Sequence, residues 1–266
     1  MKKLAAIAIA TALTTTPAFA DIGAGSCDIS MQGDVSWQKG VLTLNTPDDQ
    51  EIVITPAHHL SLNGQTVSLN NSQQQYVTSY YQQIEMAVPM TLNITYDALE
   101  LAGGAINEAF GELLGADNGL VEDLDEMFTD LRTEMNTHFY DEDGEMRISS
   151  EDFDDNGWVS ERWEDKYEEK VEDIIANSTG RLLIAVGKAM LAGDDDFEEF
   201  EQHMENWEED FEQRVEAKSS AIEARADELC EILKKADYAE NKMQKHIPGL
   251  ESLNMLTIER GEEMLM

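Results

Sequence analysis

Basic charge is scarce in this 266-residue chain, with 18 lysines and arginines against 55 aspartates and glutamates. A nucleic-acid binder needs a basic face to displace counterions from phosphates, so that class is excluded. Anionic membrane surfaces are disfavoured for the same reason. Cysteine is scarce too: only Cys27 and Cys230 occur, and neither belongs to a Cys-x-x-Cys pair of the redox-active kind. No stretch of 18 apolar residues free of charge follows the N-terminal leader, so no membrane insertion is expected after that leader is cleaved. The recognisable catalytic patterns are missing as well. There is no Gly-x-Ser-x-Gly elbow, and the five histidines, His58, His59, His138, His203 and His246, form no His-Glu-x-x-His. The segment Gly180 to Lys188 ends in Gly-Lys, but its glycine spacing is wrong for a phosphate loop and Ala189 replaces the required Ser or Thr. Carboxylates are so abundant that no single pair signals acid/base work. The balance is against an enzyme.

What is present begins with the leader. Met1-Lys2-Lys3, the apolar run Leu4 to Leu13 and Ala18-Phe19-Ala20 ahead of Asp21 have the three-part pattern of a secretory signal peptide, residues 1–20. The apolar run is too short to span a membrane. The expected location is the periplasm of a two-membrane cell. Ala24-Gly25-Ser26-Cys27 resembles a lipobox but lies too far beyond the apolar core. Removing the leader leaves 16 basic against 55 acidic residues, a formal charge of −39. In an oxidising compartment the two cysteines most simply form one disulfide, Cys27 to Cys230.

From Cys27 to Leu69 the apolar residues alternate as in short strands, in the runs Val41 to Leu44, Ile52 to Ile54, Leu60 to Leu62 and Val67 to Leu69. Asn63-Gly64 is spaced as a two-residue hairpin turn. At Asn70 the period changes to 3.6, with Ser72 and Gln75 spaced as a capping box ahead of Tyr76, Tyr80, Ile84 and Val88. Pro89 is expected to break or bend the chain before a second apolar stretch, Leu92 to Leu114, whose Gly103-Gly104 suits tight helix packing. Leu120, Leu124, Met127, Leu131 and Met135 predict a third helix ending at Phe139. Asp141 to Asp155 reads as a polar loop, after which Trp163, Tyr167, Val171 and Ile174 resume a helical stripe. The longest periodic run opens at Asp194, has Phe197, Phe200, Met204, Trp207, Phe211 and Val215 at seam spacing, and continues toward Pro248-Gly249. The predicted organisation is a small β-rich segment over 21–70, a helical body over 71–250 and a C-terminal tail over 251–266.

One constellation suggests a metal. Asp152-Phe153-Asp154-Asp155-Asn156-Gly157-Trp158-Val159-Ser160 follows the first nine positions of an EF-hand loop, with Asp152, Asp154, Asn156 and Ser160 as calcium ligands. Position twelve departs, being Trp163, and the bidentate carboxylate would have to come from Glu164, one residue late, or from elsewhere. His58 and His59 read as neighbours on a strand, pointing to opposite faces, and so suit no shared metal.

Cys27, Ser72-Gln73-Gln74-Gln75 before Tyr76, Asp152-Phe153-Asp154-Asp155, Ser178-Thr179-Gly180 with Ala185-Val186-Gly187-Lys188-Ala189-Met190, and Glu223-Ala224 with Cys230 together resemble the YggN-like family of gammaproteobacterial periplasmic proteins. The resemblance implies export and a single related fold over nearly the whole mature chain. It implies no catalytic or binding residue, and Asn156-Gly157 is not part of it.

The expected protein is α+β: a small N-terminal antiparallel sheet followed by a mainly α-helical body with a long amphipathic acidic helix. Two functional readings follow. One is a non-enzymatic periplasmic interaction protein that meets a cationic protein partner; the other is a calcium-binding module centred on Asp152. No resident cofactor other than calcium is implied.

Overall fold

A computed structural model of the chain describes residues 27–114, 119–153, 163–174 and 194–260, together with positions 176 and 180. The expected leader, 1–20, lies outside these residues. The fold is α+β, with an N-terminal antiparallel sheet and a mostly helical body, as expected.

Alternation builds the sheet. In β3 (Val41–Asn45) and β4 (Glu51–Ile54), Leu42, Leu44, Ile52 and Ile54 are wholly buried, while Thr43 and Val53 point to the opposite, partly open face. β2 (Asp34–Gln38), β3, β4, β5 (Leu60–Leu62) and β6 (Gln65–Thr66) form an antiparallel meander. Asn63 and Gly64, at φ 48° and 76°, close the β5–β6 turn as their pairing predicts. The sixth strand was not visible in the sequence pattern. β7 (Arg147–Ser149) rises from the stretch read as a polar loop, and it pairs with β2 through Trp37 and Ile148. Three residues, flanked by acidic turns, are too few to show a period.

A second, separate ribbon joins the two ends of the described chain. β1 (Cys27–Met31) pairs antiparallel with β8 (Leu256–Arg260), in a register running from Cys27 opposite Arg260 to Met31 opposite Leu256. The C-terminal segment is thus docked through residue 260. Between β1 and β2 the chain turns at Gly33, where φ is +72° and an added Cβ would lie 2.2 Å from the Asn45 carbonyl oxygen. Only glycine fits there.

α1 (Asn71–Leu114) begins with a reciprocal cap two residues upstream of the expected one. The Asn70 Oδ1 accepts from the amides of Ser72 and Gln73, each at 3.0 Å, and the Gln73 Oε1 accepts from the Asn70 amide at 2.9 Å. Pro89 does not end this helix. A proline inside a helix costs about 3 kcal/mol, and the buried neighbours Ala87, Val88, Leu92 and Ile94 supply enough packing to hold the helix through it. α2 (Gly119–Phe139) follows the expected bounds and buries Leu120, Leu124, Met127, Met135 and Phe139. A short helical segment at 163–174 places Tyr167, fully buried, against α2. α3 (Asp194–His246) then runs unbroken to the Pro248-Gly249 stop, where Gly249 adopts φ 89°.

α1 and α3 lie antiparallel. Arg225 pairs with Asp97 and Arg214 with Glu108, while at the other end the Gln73 Nε2 donates to the His246 carbonyl at 2.6 Å. The main core sits at this last end. There the buried sheet face, Val77, Tyr80, Tyr81 and Ile84 of α1, Ala236, Ala239, Met243 and Ile247 at the end of α3, and Leu250 to Leu256 converge. Tyr81 fastens the helix to the sheet by donating to the Gly40 carbonyl at 2.6 Å. Farther out, Ala87 and Ile94 meet Ala226, Leu229 and Ile232 along the seam. The two helices span roughly 66 and 80 Å at 1.5 Å per residue, so they extend well beyond the sheet as an arm.

The paired glycines of α1 separate two effects. An added Cβ at Gly103 would lie 3.0 Å from the Phe128 ring of α2, whereas at Gly104 nothing lies within 4 Å. Gly103→Val is expected to destabilise by about 1–3 kcal/mol through overpacking, and Gly104→Ala to stabilise by about 0.5–1 kcal/mol through helix propensity. Urea unfolding of the two variants checks this; equal effects would refute the assigned α1–α2 contact.

Candidate functional site

Of the four proposed calcium ligands, only Asp152 lies within the described residues; Asp154, Asn156 and Ser160 lie outside them. Asp152 sits in a 3₁₀ turn, Ser150–Phe153, directly after β7. Both of its carboxylate oxygens are engaged. The Oδ1 lies 2.9 Å from the His138 Nε2 at the end of α2, and the Oδ2 accepts from the Ser149 amide at 3.0 Å. This is the geometry of a joint between helix and sheet, reinforced by the Ser150 hydroxyl, which accepts from the Val35 amide at 2.9 Å. Among the described residues no cluster of three or more His, Cys, Asp or Glu side chains is spaced to hold a metal.

The neighbouring acidic turn has a similar explanation. The Asp141 Oδ1 accepts from the amides of Asp143 and Glu145 at 3.0 and 2.9 Å, and Gly144 takes φ 77°. The Glu145 amide bond, followed by the Asp143 amide and Lys39, holds the Asp141 carboxyl below its usual range. Such bonds mark a turn that returns the chain from α2 to β7.

His58 and His59 are not on a strand. They lie in the turn between β4 and β5, where His58 adopts φ 58°, packs 4.9 Å from the Tyr81 ring and places its Nδ1 3.2 Å from the Thr78 hydroxyl. His59 is exposed. Alternation failed as a guide because Pro56 and the following turn interrupt the strand pairing.

The most unusual polar group is one that periodicity did not single out. Glu240 is 1% exposed in the main core. Its Oε1 accepts from the amides of Met255 at 2.7 Å and Leu256 at 3.2 Å, the point where the chain enters β8. Its Oε2 is buried without a hydrogen-bond partner of normal geometry. No lysine, arginine or histidine pairs with this carboxyl among the described residues. Burial pushes its pKa up to about 7; the two amides and the buried Tyr80 phenol oppose that rise, while Asp237 adds to it. Tyr80 is raised in turn, first by its own burial and then by the Glu240 charge. The sequence did contain a signal. Leu229, Leu233, Ala236, Glu240, Met243 and Ile247 continue the four-three spacing of the α3 seam, so one carboxyl stands in a row of apolar residues.

The two cysteines occupy different elements. Cys27 opens β1, and Cys230 is buried on α3. β1 packs against α3.

The acidic residues are concentrated away from the sheet. Asp194 to Glu216, in the N-terminal part of α3, holds twelve acidic residues and one basic. Within it Glu208, Glu209, Asp210, Glu212 and Glu216 are exposed, as are Glu108 of α1 and Glu122, Asp123, Asp125 and Glu126 of α2. No helix among the described residues is long and apolar enough to cross a membrane.

Fold and site together define an α+β protein with a long helical arm, a cationic deficit at the arm's outer part and a buried carboxyl at its base. Residues 27–256 match the family described as Protein of unknown function (DUF2884), and the chain belongs to that family. No curated protein and no solved structure matches the chain.

Glu240 carries a pH prediction. Its folded pKa of about 7 exceeds the reference 4.5, so folding takes up a proton in that interval and burial of the charge costs stability as pH rises. The cost is absent below about pH 4.5, grows through about pH 7 and reaches about 3 kcal/mol above it. Glu240→Gln retains an acceptor for both amides and never ionises. The stability of the variant relative to the parent is expected to grow by that amount across the interval in urea titrations; a difference independent of pH would refute the assignment.

Proposed function

We propose that this protein is an exported, non-enzymatic interaction protein of the periplasm whose acidic helical arm binds a cationic protein partner. The observation that supports this reading is the placement of exposed carboxylates on the outer part of α1, α2 and α3, away from the packed sheet end. Charge concentrated on an extended arm steers an oppositely charged surface toward it and discriminates against anionic partners. The formal −39 of the chain without its leader acts in the same sense. Family membership is compatible with the YggN-like assignment, which we include in the proposal.

A cationic probe tests the reading. A fluorescent Lys- and Arg-rich peptide should bind the mature chain at low ionic strength and lose at least about tenfold in affinity by 0.3 M salt. Replacing Glu208, Glu209 and Glu212 together by lysine should weaken binding further at fixed salt. Capture that ignores both salt and charge reversal would overturn the proposal.

Export carries a chemical corollary, the Cys27–Cys230 disulfide, which would tie β1 to α3. The purified mature protein should take up no iodoacetamide in denaturant until a reductant is added. Reduction should then lower stability by about 2–5 kcal/mol. Two alkylated thiols before reduction would refute the bridge.

A further inference from the structure

We propose that Glu240 is a proton-operated latch on the C-terminal strand: its protonated carboxyl holds the β1–β8 ribbon against α3, and ionisation favours release of β8. The argument starts from geometry. The carboxyl reaches the backbone at a single point, the Met255 and Leu256 amides, and both bonds are made by one oxygen. The other oxygen is enclosed and lacks a partner of normal geometry. A neutral acid tolerates that enclosure far better than an anion does, because an uncompensated buried charge forfeits its hydration. Undocking the chain at Met255 and Leu256, whose amides the carboxyl binds, returns water to it.

Of the groups facing Glu240, the Tyr80 phenol opposes this sense and Asp237 reinforces it. α1 contributes the Tyr80 phenol, and α3 contributes Asp237 one turn back, an acid whose own pKa burial raises. The sheet brings apolar side chains into the same core, Trp37, Leu42, Leu44, Ile52, Ile54 and Leu60. The ribbon's charged residues, Asp28, Glu259 and Arg260, lie toward the opposite end of its register from Leu256. Among the described side chains no lysine, arginine or histidine pairs with the carboxyl. With the folded pKa near 7 and a solvated value of 4.5, the latch works in the interval between them.

The ribbon forms its own two-stranded sheet, and just beyond the pairing the Gln32 amide donates to the Met255 carbonyl at 2.9 Å. A Cys27–Cys230 bond would keep β1 on α3, which leaves β8 as the strand free to move. A two-stranded ribbon is marginal by itself, so its docking decides its order.

Hydrogen exchange of the full mature chain, corrected for the intrinsic pH dependence of exchange, tests the latch. The opening constant for the Leu256 to Ile258 amides should rise about 30-fold between pH 5.5 and 8, while the Leu42 and Leu44 amides of the central sheet should stay near their starting protection. Glu240→Gln should abolish the rise. A flat profile at β8, a rise shared equally by the central sheet, or the same rise in the glutamine variant would each overturn the proposal. The comparison within the parent protein stands even if the variant fails to fold.

Discussion

Two helices of 44 and 53 residues pack antiparallel, and that contact places every other described element. Its strength comes from burial rather than charge. Along the seam Ala87, Ile94, Ala226, Leu229 and Ile232 lose their water, and each fully buried large aliphatic side chain contributes about 1.5–3 kcal/mol. The ion pairs farther along, Arg225 with Asp97 and Arg214 with Glu108, join half-exposed side chains and add little by comparison. They set direction and register. At the sheet end, Gln73 donates to the last carbonyl of α3, that of His246, and Tyr76 stacks 5.5 Å from the His246 ring, so the start of one helix closes the end of the other.

The sheet and the ribbon use this frame differently. The six-stranded sheet buries one face against both helices and draws its last strand, β7, from after α2. That return explains why His138 and Asp152 meet, since α2 must be joined to β7 through a tight turn. The ribbon instead joins the first and last described strands beside α3. Its docking rests on a carboxyl in an apolar row, an arrangement that tertiary packing tolerates at a cost. Opposite electrostatic regimes therefore occupy the two ends of α3: solvated carboxylates on the outer part, which repel one another mildly, and one desolvated carboxyl at the base.

Much of this architecture was legible in the residues because hydrophobic period is a local property. Leu42, Leu44, Ile52 and Ile54 alternate and form strands; Leu120, Leu124 and Met127 recur at helical spacing and face one core. Turn chemistry was equally readable where two residues sufficed, as at Asn63-Gly64. Errors arose where a distant contact overrode a local preference. Pro89 stays inside α1 because packing on both sides outweighs the missing amide. The start of that helix is capped by Asn70 and Gln73 rather than by Ser72 and Gln75, since two capping patterns overlap in sequence and backbone geometry selects one. β7 exists through its pairing with β2, not through a pattern of its own.

The sequence by itself determined the class of the protein: strands then helices, a long acidic seam helix, and a chain poor in basic residues. These follow from residue type and spacing, which act over a few residues and require no knowledge of where the chain returns. Only the tertiary structure decided that α1 lies antiparallel to α3, that β8 closes on β1, and that Glu240 is a buried carboxyl. Burial is a property of what surrounds a side chain from several elements at once. The seam spacing of α3 marks Glu240 as a carboxyl in an apolar row, but only the elements packed around it take away its water.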